Sequence, residues 1–110
     1  MNIINLTPHA IVVRTQDEDK TFAPSGTVAR IQDLNPVDGP LFNGIPTVSF
    51  GRGYVIDLPE PTPDTFFIVS GMVFDAVPDH RTDVVAPFTG ATAIRNEKGH
   101  IVAVTQFRTK

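Results

Sequence analysis

Three residues that could bind an anion lie close together in the second half of the chain. Ser70 and Gly71 directly follow the apolar run TFFIV (residues 65–69), and Arg81 comes a short stretch later. If a helix begins after Ser70, its first free amides point at whatever lies above the strand end, and such amides bind anions. A guanidinium can add forked, charge-assisted hydrogen bonds to phosphate or carboxylate. The sequence therefore predicts a site for a small anion here.

The neighbours of Arg81 extend this prediction. His80 and Asp83 flank Arg81 and are expected to line the same site. The phenylalanines that could stack on a nucleotide base are Phe66, Phe67 and Phe74. The alternative is that Arg81 pairs with Asp79 or Asp83 and only stabilises a loop, with the phenylalanines in the core. Composition and spacing leave both interpretations open.

Arg52 is a second basic candidate. It lies between Gly51 and Gly53, and paired glycines allow the positive backbone angles of a tight turn or bulge. The guanidinium would then be held at a turn tip, where it could reach a ligand or a neighbouring subunit. An exposed turn arginine without any role is the simpler interpretation.

Catalytic chemistry has little support. Ser70, His80 and Asp83 or Asp79 form the one trio that could act as a serine hydrolase, but the G-x-S-x-G elbow is absent. A serine at this position is more often simply a helix N-cap. The three histidines lie far apart without metal-ligand spacing, and zero cysteines exclude a thiolate site. We expect no catalytic centre, no metal and no cofactor.

Short strands must position these residues. Ten prolines and eight glycines cut the chain into pieces that suit strands better than helices of ordinary length. Residues 65–69 are continuously apolar, which predicts a central strand covered on both faces. Residues 71–77 could form a helix of one or two turns, stopped by Pro78, or could continue the strand. Residues 32–46 have the composition of a long, functional or mobile loop.

These patterns predict a single mainly β domain spanning residues 1–110. It would be a small sandwich or barrel-like sheet with at most one short helix near residues 71–77. The net charge of −3 and the scattered basic residues argue against binding a DNA or RNA polymer. No signal peptide or membrane span is recognisable, and the lack of cysteine fits a reducing compartment. We therefore expect a cytoplasmic protein that does not enter a membrane.

Five stretches distributed over nearly the whole chain carry a family resemblance. They are Asn5-Leu6-Thr7-Pro8-His9-Ala10-Ile11, Leu58-Pro59-x-Pro61, Phe67-Ile68-Val69-Ser70, Arg81-x-Asp83-Val84 and Gly99-x-Ile101-Val102. The chain resembles a family of small proteins met in phage and prophage genomes and in some bacteria, and it departs from that pattern at Gly71 and at Asp79-His80. The resemblance implies a setting in which small cytosolic proteins often act as inhibitors, and one class sequesters nucleotide signals of bacterial immunity.

Three hypotheses follow. The leading one is a non-catalytic, phage-type binding protein that captures a small anionic ligand such as a cyclic nucleotide, in a pocket between strand-end loops and as a homo-oligomer. Its ligand-binding residues would be Ser70, Gly71, His80, Arg81, Asp83 and Arg52. The second is a protein-binding or virion-associated module that uses exposed strand edges and residues 32–46. The third is a small hydrolase that uses Ser70 or His80.

Overall fold

The computed structural model describes residues 1–32, 35–50 and 53–110. Its one helix in that part of the chain is α1 (Gly71–Ala76). The strands are β1 (Asn2–Asn5), β2 (Ile11–Arg14), β3 (Asp19–Phe22), β4 (Arg30–Gln32), β5 (Val37–Asp38), β6 (Val48–Ser49), β7 (Tyr54–Ile56), β8 (Thr65–Ile68), β9 (Val84–Pro87), β10 (Ile94–Arg95), β11 (Ile101–Ala103) and β12 (Phe107–Arg108). The predictions of a mainly β fold and of one short helix near residues 71–77 are confirmed.

A mixed four-stranded sheet organises the molecule. Its strand order is β1-β8-β9-β12, with β1, β8 and β9 parallel and β12 antiparallel to β9. The remaining strands form the two-stranded pairs β2-β3, β4-β7, β5-β6 and β10-β11. No closed barrel forms among the described residues, so the barrel-like alternative does not apply.

The TFFIV segment is the inner strand that its composition predicts. β8 lies between β1 and β9, and Phe67, Ile68 and Val69 are at most 1% exposed. Strands of a parallel sheet are covered on both faces, which is why they are continuously apolar. The helix and its neighbours supply the cover on one side, since Val73 and Phe74 belong to the same buried cluster as Phe67.

Helix α1 makes the crossover between the parallel strands β8 and β9. Ser70 is its N-cap, with an extended backbone and a side-chain oxygen that accepts a 3.4 Å hydrogen bond from the Val73 amide. The helix ends before Val77 and Pro78, because proline cannot continue the hydrogen-bond ladder. Parallel neighbours require such a crossover, and a helix is the usual means of making it.

Residues 35–50 form a hairpin that we call the arm. β5 pairs with β6, and Phe42 bridges to Ile45 at the tip. The prediction of a long loop over residues 32–46 is therefore wrong for residues 37–46, because β5 pairs with β6 and Phe42 bridges to Ile45. The radius of gyration of 17.2 Å exceeds the ~13 Å of a compact chain of this length, so the molecule is elongated.

Among the described residues, no helix has the length and hydropathy needed to cross a membrane.

Candidate functional site

A cavity lies at the edge of the central sheet where the three parallel strands end. The segments that follow β1, β8 and β9 meet there, and β12 begins there because it runs antiparallel to β9. The cavity has a volume of about 610 Å³. We call it the carboxyl-edge cavity, and residues 7–9, Ile11, 70–71, 87–90 and Arg108 line it. Ligands of open α/β sheets also bind outside the carboxyl ends of the strands.

The buried side chain of Asn5 shapes one wall of this cavity. Its Nδ2 donates to the carbonyls of His9 at 2.8 Å and Phe22 at 2.9 Å. Its Oδ1 accepts from the Thr7 amide at 2.9 Å and from the Thr7 hydroxyl at 2.7 Å. An Asn side chain that accepts from the backbone two residues on is an Asx-turn, which reverses the chain locally. The stretch Asn5 to His9 therefore has a structural role, which is to fix the turn that forms the wall.

Ser70 and Gly71 form the floor of the cavity at the end of β8. The Ser70 oxygen caps the helix, yet its O–H remains a donor that can turn towards a ligand. Helix α1 has only six residues, so it contributes little dipole to an anion site. The positive charge that binds an anion in the cavity must therefore come from a side chain.

Arg108 supplies that cation, and sequence reasoning missed it. Its Nη1 lies 3.8 Å from the point where a Cβ on Gly71 would be. Its Nη2 donates to Asp75 Oδ1 at 2.9 Å, and its Cζ lies 4.7 Å from the centre of the Phe74 ring. The side chain is 39% exposed. No local pattern singles out this residue near the end of the sequence, and only the pairing of β12 with β9 brings it beside Gly71.

Phe88 and Gly90 form the opposite wall. The Phe88 ring lies directly over Gly90, and a Cβ at position 90 would collide with the ring. A side chain at position 90 would therefore require the Phe88 ring to move. The aromatic ring of Phe88 is half-buried at the cavity, where a flat apolar group could contact it.

Arg81 and Asp83 lie away from the carboxyl-edge cavity. The Phe67 amide donates to the Asp83 carbonyl at 2.9 Å, so Asp83 lies beside the middle of β8, whereas Ser70 follows the end of that strand. Three residues of extended chain span about 10 Å. The predicted cluster of Ser70, Arg81 and Asp83 is therefore split between two places on the sheet.

The Arg81 guanidinium is engaged within the fold. Its Nε and Nη2 donate to the two Asp83 carboxylate oxygens at 3.0 Å each, and Nη2 also donates to the Pro59 carbonyl at 2.9 Å. The two side chains are 11% and 17% exposed. The hydrogen bond with Arg81 holds the pKa of Asp83 below its ordinary value and raises that of Arg81. The loop-stabilising alternative thus describes this residue.

The remaining residues predicted to bind the ligand do not line the cavity. His80 is exposed in the turn that precedes Asp83, and Arg52 lies outside the described residues. No hydrogen bond links Ser70 to His80, both of which the structure describes. Within the described ranges, no three His, Cys, Asp or Glu side chains come together as a metal site. Of the six predicted ligand-binding residues, Ser70 and Gly71 line the cavity.

Comparison with known proteins gives no match. No protein-family model, no curated protein and no solved structure matches the chain. The resemblance to a phage-type family stays a prediction.

Proposed function

We propose that this protein is a non-catalytic binding protein that holds a small anionic ligand in the carboxyl-edge cavity. The observation that carries the proposal is the pairing of a roomy, largely apolar cavity with one half-buried guanidinium. Its volume of about 610 Å³ falls within the ~300–1,000 Å³ of small-molecule sites. Such sites combine apolar walls with a few polar groups that orient the ligand.

Arg108 is the anchor for the anionic group of the ligand. Its present partner, Asp75, is 66% exposed, so the ion pair is well solvated and an incoming anion can share or replace it. A guanidinium has five N–H donors, and the Asp75 contact uses the Nη2 end. The Nη1 end faces Gly71 at the cavity floor. Ser70 can add a hydroxyl hydrogen bond from the same floor.

The other walls favour a flat apolar body. Pro8, Ile11, Pro87 and Phe88 present carbon surface, and an aromatic ring such as Phe88 stacks well on a planar ring system. A nucleotide joins a planar base to an anionic phosphate, so it fits both ends of the cavity. We take nucleotides, cyclic ones included, as the ligand class. In the phage-type setting that the resemblance implies, the protein would capture a nucleotide immune signal in the host cytoplasm.

The proposal is tested by thermal unfolding of the purified protein with a panel of mononucleotides, cyclic dinucleotides and ADP-ribose derivatives. We expect at least one to raise the melting temperature, with the matching nucleoside giving a smaller rise. Native mass spectrometry of freshly purified protein should detect any retained ligand. The absence of a shift with every compound, together with no retained ligand, overturns the proposal.

Substitutions then locate the site. Arg108→Gln should abolish the shift. Arg95→Gln changes an arginine that does not line the cavity and that donates to the Gly99 carbonyl in the β10-β11 hairpin, and it should preserve the shift. Recovery of the intact nucleotide after incubation supports binding without turnover. Hydrolysis that disappears in Ser70→Ala would instead support the hydrolase hypothesis.

A further inference from the structure

The cation of the carboxyl-edge cavity has a carboxylate beside it. Arg108 Nη2 donates to Asp75 Oδ1 at 2.9 Å, and Asp75 itself does not line the cavity. Among the described residues that line the cavity, Arg108 is the one with a permanent charge. The guanidinium and its carboxylate together carry no net charge. An anion in the cavity is therefore attracted by one group and repelled by the other.

A second cation nearby does not change this balance. Lys110 Nζ lies 4.3 Å from the centre of the Phe74 ring, which the Arg108 guanidinium contacts at 4.7 Å. Lys110 does not line the cavity, and its Nζ lies 3.9 Å from Asp79 Oδ1. Each of the two cations against the Phe74 ring therefore has an acidic residue beside it.

The charge of Asp75 can be removed without disturbing the fold. Its side chain is 66% exposed, and ion pairs this well solvated contribute little to stability. Asparagine at this position keeps an oxygen that accepts from Arg108 Nη2, but it has no charge. Asp75→Asn therefore alters the electrostatics of the cavity and keeps Arg108 in place.

The charge on the ligand decides how the Arg108–Asp75 pair acts. A phosphodiester carries one negative charge, whereas a phosphomonoester, with a second pKa of about 6, carries two at pH 8. The free Nη1 end of Arg108 faces the cavity floor and can match one charge. A second charge gains no net attraction from the neutral pair, and it still loses water beside apolar walls.

Repulsive groups of this kind are a common source of specificity. We propose that Asp75 makes the carboxyl-edge cavity select phosphodiesters, such as cyclic nucleotides, over phosphomonoesters. This inference rests on the proposed function, since it concerns the same site and the same anchor. It adds the class of phosphate group that the site accepts and the residue that sets this choice.

Titration calorimetry at pH 8 with matched ligands tests the selection. Adenosine 5′-monophosphate and its phosphate methyl ester share base and sugar and differ by one charge, and the same pair is made for the other bases. We expect the methyl ester to bind the wild type about five- to tenfold more tightly. If only dinucleotides bind, the cyclic form and its linear 5′-phosphorylated form are the matched pair.

Two variants locate the source of the preference. In Asp75→Asn the preference should fall below about twofold, because the phosphomonoester then gains the uncompensated charge of Arg108. Asp19→Asn removes the same charge from the exposed Arg14–Asp19 pair, which does not line the cavity, and it should keep the wild-type preference. Both variants should keep the circular dichroism spectrum of the wild type.

The outcomes separate this inference from the proposed function. A phosphomonoester that binds the wild type as tightly as its methyl ester overturns the charge selection, while the binding itself supports the proposed function. A preference that is unchanged in Asp75→Asn overturns the role of Asp75. If no nucleotide of any kind binds, the proposed function fails, and this inference fails with it.

Discussion

Arg81 and Asp83 form a two-point ion pair in which both side chains are largely buried, and Arg81 also reaches the Pro59 carbonyl. The pair ties the loop before β9 to the connector before β8. Charged groups at this depth stay stable only when their hydrogen bonds are made, because desolvation penalises an unpaired charge. The arginine that the sequence offers as a ligand group therefore contributes to the fold.

Removing this guanidinium should destabilise the protein. Arg81→Ala leaves the Asp83 carboxylate and the Pro59 carbonyl without their donor, and we expect a loss of about 2 kcal/mol in the free energy of unfolding. Urea unfolding measures it. Arg14 and Asp19 form a pair of similar geometry whose side chains are 47% and 44% exposed, so Arg14→Ala is the matched control. Equal losses of unfolding free energy in Arg81→Ala and Arg14→Ala would contradict the structural role of the Arg81–Asp83 pair.

The same pair predicts an acid-sensitive step in stability. The Arg81 hydrogen bond lowers the pKa of Asp83 in the folded state, so the pair stabilises the fold fully above the ordinary aspartate pKa of about 4. That contribution is lost as the pH falls below this value through the lowered pKa. Between neutral pH and pH ~3, the free energy of unfolding should therefore fall less steeply for Asp83→Asn than for the wild type. If the free energies of unfolding of the two proteins change in parallel with pH, ionisation of Asp83 does not contribute to the acid sensitivity.

Substitution of Asn5 should destabilise the protein more than substitution of an exposed polar residue. Asn5→Ala removes four hydrogen bonds in a site where the residue is 2% exposed, and it leaves the Thr7 amide and the carbonyls of His9 and Phe22 without this partner. We expect a loss of about 3 kcal/mol in unfolding free energy. Asn96, whose Oδ1 accepts from two backbone amides in an exposed turn, provides the control. A loss in Asn5→Ala no larger than that in Asn96→Ala would contradict this role.

Two glycines at the cavity should respond differently to the same substitution. Gly90→Ala places a methyl group where the Phe88 ring lies, so the ring must leave its present rotamer, at a cost of about 0.5–1.5 kcal/mol. Gly71→Ala meets only the Arg108 guanidinium at 3.8 Å, an ordinary contact, and alanine favours a helix over glycine. Melting temperatures should fall for the first variant and stay equal or rise for the second. A lower melting temperature for Gly71→Ala would show that the cavity floor beside Gly71 is more crowded than the 3.8 Å distance to Arg108 indicates.

Local features of the structure follow from residues close together in the sequence. The apolar run at 65–69 predicts the inner strand, Ser70 predicts the helix cap, and Pro78 predicts the helix end. Gly99, with a φ of +81°, lies in the turn of the β10-β11 hairpin, where glycine adopts this backbone angle without strain. These signals depend on side-chain burial pattern, capping and backbone angle, which act over a few residues.

Tertiary structure alone decided where the chemistry lies. The parallel order of β1, β8 and β9 brings residues 7–9, 70–71 and 87–90 to one edge, and the antiparallel β12 adds Arg108. It also brings the Pro59 carbonyl to the Arg81 guanidinium, and it leaves the apolar side chains of the arm exposed. Strand order depends on which distant segments bury their apolar faces against each other, and no spacing within one segment encodes that choice.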